Sequence, residues 1–206
     1  MKDFFARLLS TLLHPLLMPS YSILTLWFGP FEKMKNLMGT DNLPAIIGWM
    51  FLFSAIIPVI LLIALKWAGI INSVTLNERR DRKYPLIGTM ISNLGLFWTF
   101  HYMGFGLILK LMALASATLI LMSWIITFSW KISIHMASLG GYLAMVVMGF
   151  LAGTKPIFPA IVIMLLLSSS LGWARVERKA HSPAQVIAGL LLGMFILGAF
   201  MAPVVL

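Results

Sequence analysis

Long apolar runs separated by short polar gaps make up most of the chain. Seven runs are predicted as membrane spans, at residues 5–29, 44–68, 85–103, 106–128, 132–152, 157–173 and 184–205. Each run is close to the roughly 20 residues that a helix needs to cross a hydrocarbon core about 30 Å thick. The pattern therefore predicts an all-α polytopic transmembrane helical bundle with seven crossings, or six if one run re-enters the membrane.

The composition agrees with a protein embedded in lipid. Of the 206 residues, 61% are hydrophobic and only 10% are charged, which is far from the composition of soluble domains. The first run is the weakest, because Pro15 and Pro19 bend it and Lys2 and Arg7 suit a start at the interface. No soluble segment interrupts the runs, so residues 1–206 are predicted to form a single integral membrane domain in a bacterial inner membrane.

The formal net charge of +9 comes from Lys and Arg residues that lie mainly in the gaps between apolar runs. This distribution lacks the long basic face of nucleic-acid-binding proteins and favours membrane lipids or a phosphate ligand as partners. The chain has no cysteine, which excludes disulfides, thiolate catalysis and Cys-ligated metals. We therefore expect an anionic partner and no nucleic acid.

Three polar gaps are predicted to meet at one membrane face. With seven crossings, the gaps at 77–85, 130–135 and 174–183 fall on the same face as the N-terminus. Their side chains can then form one site. A basic run such as residues 79–83 is also typical of a solvated connector that fixes membrane orientation or contacts anionic head groups.

The third gap has the most specific spacing. Arg175 is followed after five residues by His181, and Gln185 follows after three more. Ser182 and Gln185 fit a capping box around Pro183 at the first helical position. His181 then stands beside a helix N-terminus, where free N–H groups and the helix dipole favour an anion such as phosphate.

The second gap supplies another imidazole. Lys131, Ser133 and His135 open the next apolar run on the same predicted face. One histidine can attack phosphorus while the other protonates the leaving alkoxide, and guanidinium groups can stabilise the charge on the phosphoryl oxygens. The residues alone leave open which histidine does which.

These motifs resemble those of the type-2 phosphatidic acid phosphatase superfamily of membrane lipid phosphatases. The family's third motif reads Ser-Arg, five residues, His, three residues, Asp, and here Arg175 and His181 keep that interval while Ala174 and Gln185 replace Ser and Asp. The family's second motif, Pro-Ser-Gly-His, is matched by residues 132–135, which keep its Ser and His.

The family's first motif, Lys, six residues, Arg-Pro, is matched least well. Counting back from Pro85 puts Tyr84 and Asn77 where Arg and Lys are expected. Basic residues follow Asn77 in a different register, and we expect at least one of Arg79, Arg80 and Arg82 to point into the site. Two predicted spans also separate this cluster from the second motif, whereas many family members have both motifs in one loop.

The resemblance implies a fold, a reaction and a set of roles. It implies hydrolysis of a phosphate monoester or diphosphate on a lipid or polyprenyl carrier, without a metal or cofactor. His181 is then the nucleophile that forms a phospho-histidine, His135 the general acid, and Gln185 the residue that orients the His181 ring in place of the family's Asp. The phosphate-binding residues are then Arg175, Arg79, Arg82, Lys83, Ser133 and Lys131.

Two other functions share these residues. A glutamine carries no charge, so a phosphate- or lipid-binding or transport protein without turnover fits the departures from the family pattern. A phosphoryl transferase fits as well, with another acceptor in place of water. We interpret His14 and His101 as interfacial or packing residues, and the pair Gly140 and Gly141 as a point of close helix approach.

The side of the membrane is predicted from charge and from the resemblance. The predicted face of the N-terminus holds eleven of the 15 Lys and Arg residues, which favours the cytoplasm. Six of these eleven residues are candidates for phosphate binding. Without them the two faces hold five and four Lys and Arg residues, so the charge bias disappears. The family's sites commonly face outward, and we therefore expect the extracytoplasmic face.

Overall fold

A computed structural model describes residues 1–76, 78–153 and 158–206. Asn77 and the start of the predicted span 157–173 lie outside the described residues. Within these ranges the chain is all helical and contains no strand. The helices are α1 (Lys2–Leu12), α2 (Met18–Phe28), α3 (Glu32–Asn36), α4 (Leu43–Phe51), α5 (Ile57–Trp67), α6 (Arg79–Tyr102), α7 (Leu107–Thr127), α8 (Ile134–Leu151), α9 (Phe158–Glu177) and α10 (Pro183–Val205).

Four described helical segments are long and apolar enough to cross a membrane. They are Leu43–Trp67, Leu107–Thr127, Ile134–Leu151 and Pro183–Val205. Segments of 18 to 25 residues match the thickness of a hydrocarbon core. The structure thus indicates an all-α protein embedded in a membrane, while the count of six or seven crossings stays a prediction.

The first predicted span, residues 5–29, consists of two helices. α1 ends at Leu12 and α2 begins at Met18, with Pro15 in the connection and Pro19 in the first turn of α2. Proline restricts its own φ and disfavours helical geometry in the residue before it, which explains the break. The break places His14 in the connection, where its Nδ1 accepts a hydrogen bond from the Leu16 N–H at 3.4 Å.

The helical segment Leu43–Trp67 contains one turn of π-helix at Leu52–Ile56. Pro58 follows this turn and has no N–H to donate to the preceding backbone. The Ser92 hydroxyl of α6 instead donates to the Phe53 carbonyl at 2.6 Å. The irregular turn is thus satisfied by a neighbouring helix, as a buried backbone in lipid requires.

Helices α8 and α10 approach each other closely along small residues. A Cβ on Gly193 would lie 1.9 Å from the Ala137 carbonyl oxygen, and a Cβ on Gly140 would lie 2.1 Å from that of Leu190. Small residues allow such backbone contact between helices in membranes. The expectation of close approach at Gly140 is confirmed, and the N-terminal ends of α8 and α10 lie side by side, joined by a hydrogen bond from the Ser133 N–H to the Gln185 carbonyl at 3.3 Å.

Helix α6 begins earlier than the apolar pattern predicts. The run at 85–103 is preceded by two further helical turns that start at Arg79, so most of the polar gap 77–85 is helix rather than a loop. Pro85 lies inside α6 in its second turn. Asp81, Arg82, Pro85 and Leu86 are buried, whereas Arg80 and Lys83 are exposed, so helical periodicity decides which basic residues face inward.

Candidate functional site

A cavity of about 400 Å³ lies inside the helix bundle. Residues of α2, α5, α6, α7, α8, α9 and α10 line it, together with parts of the connecting segments. Its arginine and histidine lining residues come from separate parts of the chain. They are His14, Arg82, His135, Arg175 and His181.

The turn after α9 brings Arg175 and His181 to the same cavity. Lys179 has a φ of 51°, in the left-handed region that reverses the chain after a helix. The N–H groups of Ala180 and His181 both bond to the Arg175 carbonyl, at 3.1 and 3.3 Å. The interval of five residues between Arg175 and His181 is therefore the interval that this turn requires, and both side chains line the cavity.

Arg82 is fixed by two backbone carbonyls. Its Nε donates to the Leu76 carbonyl at 2.8 Å, and one terminal nitrogen donates to the Ile132 carbonyl at 3.2 Å. The residue as a whole is only 5% exposed. These bonds join the start of α6 to the segment before α8 and leave N–H groups of Arg82 for a ligand.

Gln185 contacts the His181 ring and also caps α10. Ser182 Oγ accepts from the Gln185 N–H at 3.4 Å, and Gln185 Oε1 accepts from the Ser182 N–H at 3.2 Å, which confirms the predicted capping box. Gln185 Oε1 also lies 3.1 Å from His181 Nδ1. The Lys131 carbonyl lies 3.2 Å from the same nitrogen.

The tautomer of His181 follows from these two oxygens. A backbone carbonyl only accepts hydrogen bonds, and the Ser182 N–H fixes the Gln185 amide with its oxygen toward the ring, so Nδ1 must bear the proton. Burial, and then the charges of Arg82 and Arg175, lower the pKa of His181 to about 4. The ring is thus neutral at pH 7, and its Nε2 has a free electron pair.

His135 lines the cavity near His181, and a third histidine contacts it. The rings of His14 and His135 meet edge to face, with 5.4 Å between their centroids. Because His14 Nδ1 accepts from the Leu16 N–H, the neutral His14 ring has its proton on Nε2. The interpretation of His14 as an interfacial or packing residue missed its place in the cavity, since its partner lies 121 positions away and no local spacing signals it.

The cavity has a strong excess of positive charge. Arg175 is 8% exposed, its Nε has no hydrogen-bond partner among the described residues, and one terminal nitrogen donates to Ser10 Oγ at 3.4 Å. No Asp or Glu lines the cavity in the described part of the chain. Asp81 is buried near Arg82, but its Oδ2 accepts from the Ser73 N–H at 3.0 Å. Two buried guanidinium groups therefore face the cavity without a countercharge.

The remaining predicted residues surround the cavity without lining it. Arg79 donates to the Ser129 carbonyl at 2.9 Å, and the Lys83 ammonium stands 4.8 Å from the centre of the Phe128 ring. Both side chains are exposed. The structure does not bring either side chain to the cavity.

Lys131 and Ser133 lie closer. Lys131 is partly buried, and burial, and then the charges of Arg82 and Arg175, lower the pKa of its ammonium. Ser133 Oγ is fully buried and has no hydrogen-bond partner among the described residues. Neither side chain, nor that of Gln185, lines the cavity itself.

The arrangement combines features that suit a phosphoryl group. Two guanidinium groups and the N-terminal ends of two helices provide positive potential, and a neutral imidazole offers a free nitrogen. Over residues 1–76, 78–153 and 158–206, no cluster of three or more His, Cys, Asp or Glu side chains could hold a metal ion. No protein-family model, curated protein or solved structure matches this chain, so its resemblance to the type-2 phosphatidic acid phosphatases depends on the three motifs alone.

Proposed function

We propose that the protein is a membrane-embedded phosphatase that hydrolyses a phosphate monoester or diphosphate on a lipid or polyprenyl carrier. The main support is the pair of buried cations, Arg82 and Arg175, with no carboxylate lining the described part of their cavity. Burying a charge without a countercharge costs on the order of several kcal/mol of stability. A phosphate dianion supplies the missing countercharge and can accept bidentate hydrogen bonds from each guanidinium.

His181 is the proposed nucleophile. Its Nε2 attacks phosphorus, and a nitrogen–phosphorus bond forms as the bond between phosphorus and the alkoxide oxygen breaks. The imidazole becomes positively charged in this step, and the Gln185 and Lys131 oxygens hold its Nδ1 proton. Arg82 and Arg175 stabilise the charge on the three remaining phosphoryl oxygens.

His135 is the proposed general acid and base. It protonates the departing alkoxide, which leaves as the lipid alcohol, and then removes a proton from a water that attacks the phospho-histidine. The second step breaks the nitrogen–phosphorus bond and restores neutral His181. Contact with the His14 ring orients His135 for both proton transfers.

The topology belongs to the same proposal. We place six or seven crossings in a bacterial inner membrane, with the site at the extracytoplasmic face. The chain has no native cysteine, so Arg178→Cys gives a single thiol in the exposed turn beside the site. An impermeant maleimide added to intact cells should label it, and protection from the reagent would place the site on the cytoplasmic side.

Release of inorganic phosphate tests the activity. Purified wild-type protein in nanodiscs is incubated with alkyl, diacylglycerol and polyprenyl phosphates. The variant His181→Ala and a matched control, His101→Ala, are assayed in the same way. His101 is exposed and does not line the cavity, and its ring stacks on that of Phe97 with 6.3 Å between the centroids. We expect release by wild type and His101→Ala and none by His181→Ala.

One observation favours a binding or transport protein as the second candidate. Gln185 Oε1 is shared between the Ser182 N–H and the His181 ring and has no negative charge to stabilise an imidazolium. A protein that binds phosphonates without releasing phosphate from any substrate would support this candidate. Phosphate transfer to an added lipid alcohol, in place of water, would identify a phosphoryl transferase with the same site.

A further inference from the structure

The cavity extends far beyond the charged residues. Along α6 its lining runs from Arg82 to Asn93, and along α8 from His135 to Met145. Ten to eleven residues at about 1.5 Å each correspond to a depth of about 15 Å. That depth is about half of a hydrocarbon core, the part that one leaflet occupies. The lower part of the cavity therefore reaches toward the middle of the membrane.

The walls of this deeper part are mostly apolar. Leu86 of α6, Leu119 of α7 and Leu197 of α10 line it, as does Pro58. A hydrocarbon chain gains dispersion contacts and hydrophobic burial in such a space. The charged end is continuous with the apolar part, so one amphiphilic molecule can fill both.

The depth sets the length of chain that the cavity can hold. Carbon–carbon bonds of about 1.52 Å advance about 1.25 Å each along a zigzag chain. About twelve carbons therefore span a depth of about 15 Å.

The deep end is lined by Asn93 of α6, Met112 of α7 and Met145 of α8, and it contains one buried amide. Asn93 lines the deep end, is 2% exposed, and donates from Nδ2 to the Thr89 carbonyl at 2.9 Å. Its Oδ1 has no hydrogen-bond partner among the described residues. Methylene groups pressed against this buried acceptor leave its hydrogen bond unmade, which is unfavourable. A chain that extends past Asn93 therefore gains little.

From this depth we infer that the cavity binds the hydrocarbon tail of the substrate inside the protein, and that it selects a phosphorylated amphiphile whose chain has about twelve carbons. The inference depends on the proposed function for the place of the phosphate. It narrows the substrate class, because a long polyprenyl chain or any chain much longer than twelve carbons exceeds this depth.

The test measures binding without turnover. Wild-type protein in nanodiscs is titrated with n-alkylphosphonates of 2 to 18 carbons, whose carbon–phosphorus bond the reaction does not break, and the shift in the thermal unfolding midpoint gives the affinity. We expect affinity to rise from the two-carbon to the twelve-carbon compound and to stay level or fall beyond it. A continued rise to 18 carbons would overturn the inference.

A pair of variants on α7 separates the cavity from the lipid. Ser116 lines the cavity, whereas Leu121 is 36% exposed and does not line it. Ser116→Phe should move the optimum to shorter chains and weaken dodecylphosphonate binding at least tenfold, while Leu121→Phe should leave the profile unchanged. Equal dependence of affinity on chain length in the two variants would contradict the inference. If the phenylalanine at position 116 prevents folding, Ser116→Leu takes its place.

The two proposals fail in different ways. If wild type does not bind ethylphosphonate, the phosphate site and the proposed function are both wrong. Retained ethylphosphonate binding with no dependence on chain length would overturn the tail site alone. A chain-length optimum without phosphate release would support the tail site and the non-catalytic candidate together.

Discussion

Replacing Gln185 by glutamate tests how the nucleophile is held. Glutamate has the same length as glutamine, so one carboxylate oxygen can keep the positions 3.1 Å from His181 Nδ1 and 3.2 Å from the Ser182 N–H. The change adds a negative charge beside the ring that becomes positive in the phosphoenzyme. Gln185→Glu should therefore favour the intermediate more than the neutral ground state.

The magnitude follows from the hydrogen bond. A bond between neutral groups contributes about 0.5 to 1.5 kcal/mol, and one to a charged group about 1.5 to 3 kcal/mol. The midpoints of these ranges differ by about 1.2 kcal/mol, which corresponds to nearly tenfold in rate and about one pKa unit. The pKa of His181 should rise from about 4 toward neutrality, and phosphoenzyme formation should be about tenfold faster.

Single-turnover kinetics with dodecyl phosphate measure the rate, and a histidine NMR titration measures the pKa. Gln185→Met is the matched control, because it keeps the side-chain length without an acceptor oxygen and should slow phosphoenzyme formation about tenfold. An unchanged rate and an unchanged pKa in Gln185→Glu would refute the orienting role and leave Gln185 as a cap of α10.

Four further predictions concern other residues. The pKa of His181 is about 4 in the folded protein and near 6.5 in the unfolded chain, so protonation favours unfolding. The free energy of unfolding should therefore fall by up to about 3 kcal/mol as the pH falls from 6.5 to 4. Denaturant unfolding of wild type and His181→Gln measures this difference, and equal dependence on pH in the two proteins would contradict it. Arg175→Met should weaken ethylphosphonate binding at least tenfold yet raise the unfolding temperature without ligand, because it removes a buried unpaired charge. Gly193→Ala should destabilise the protein by about 1 to 3 kcal/mol through its contact with the Ala137 carbonyl, whereas Gly48→Ala meets no atom within 4 Å and should be neutral or stabilising in the same unfolding assay. His14→Ala should slow phosphate release severalfold and His14→Phe should restore most of it, since the edge-to-face contact with His135 is worth about 0.5 to 1.5 kcal/mol; equal rates in both would exclude the positioning role.

Local features of the site could be predicted from the sequence because local rules determine them. Ser182, Pro183 and Gln185 form the predicted capping box, since its hydrogen bonds join residues three positions apart. The turn between α9 and α10 explains the interval from Arg175 to His181 in the same way. The close approach at Gly140 also followed from residue size alone.

Features that depend on several helices could not be predicted. Arg82 faces the cavity and Arg79 does not, and this difference requires knowing that α6 begins at Arg79 rather than at Pro85. His14 joins the site only because the chain breaks at Pro15 and returns beside α8. In the described part of the chain, residues from seven helices line the cavity, and no single segment contains a signal for it.

The most direct test of the account is to trap the phosphoenzyme. Wild-type protein is mixed with dodecyl phosphate labelled with ³²P, quenched in alkali within milliseconds, and digested for mass spectrometry, because phospho-histidine survives alkali and is lost in acid. We expect one label, stable to alkali and labile to acid, on the peptide that contains His181, and its accumulation when His135→Ala slows hydrolysis. A label on His135 or His14, or release of phosphate with no labelled protein under any quench time, would contradict His181 as the nucleophile.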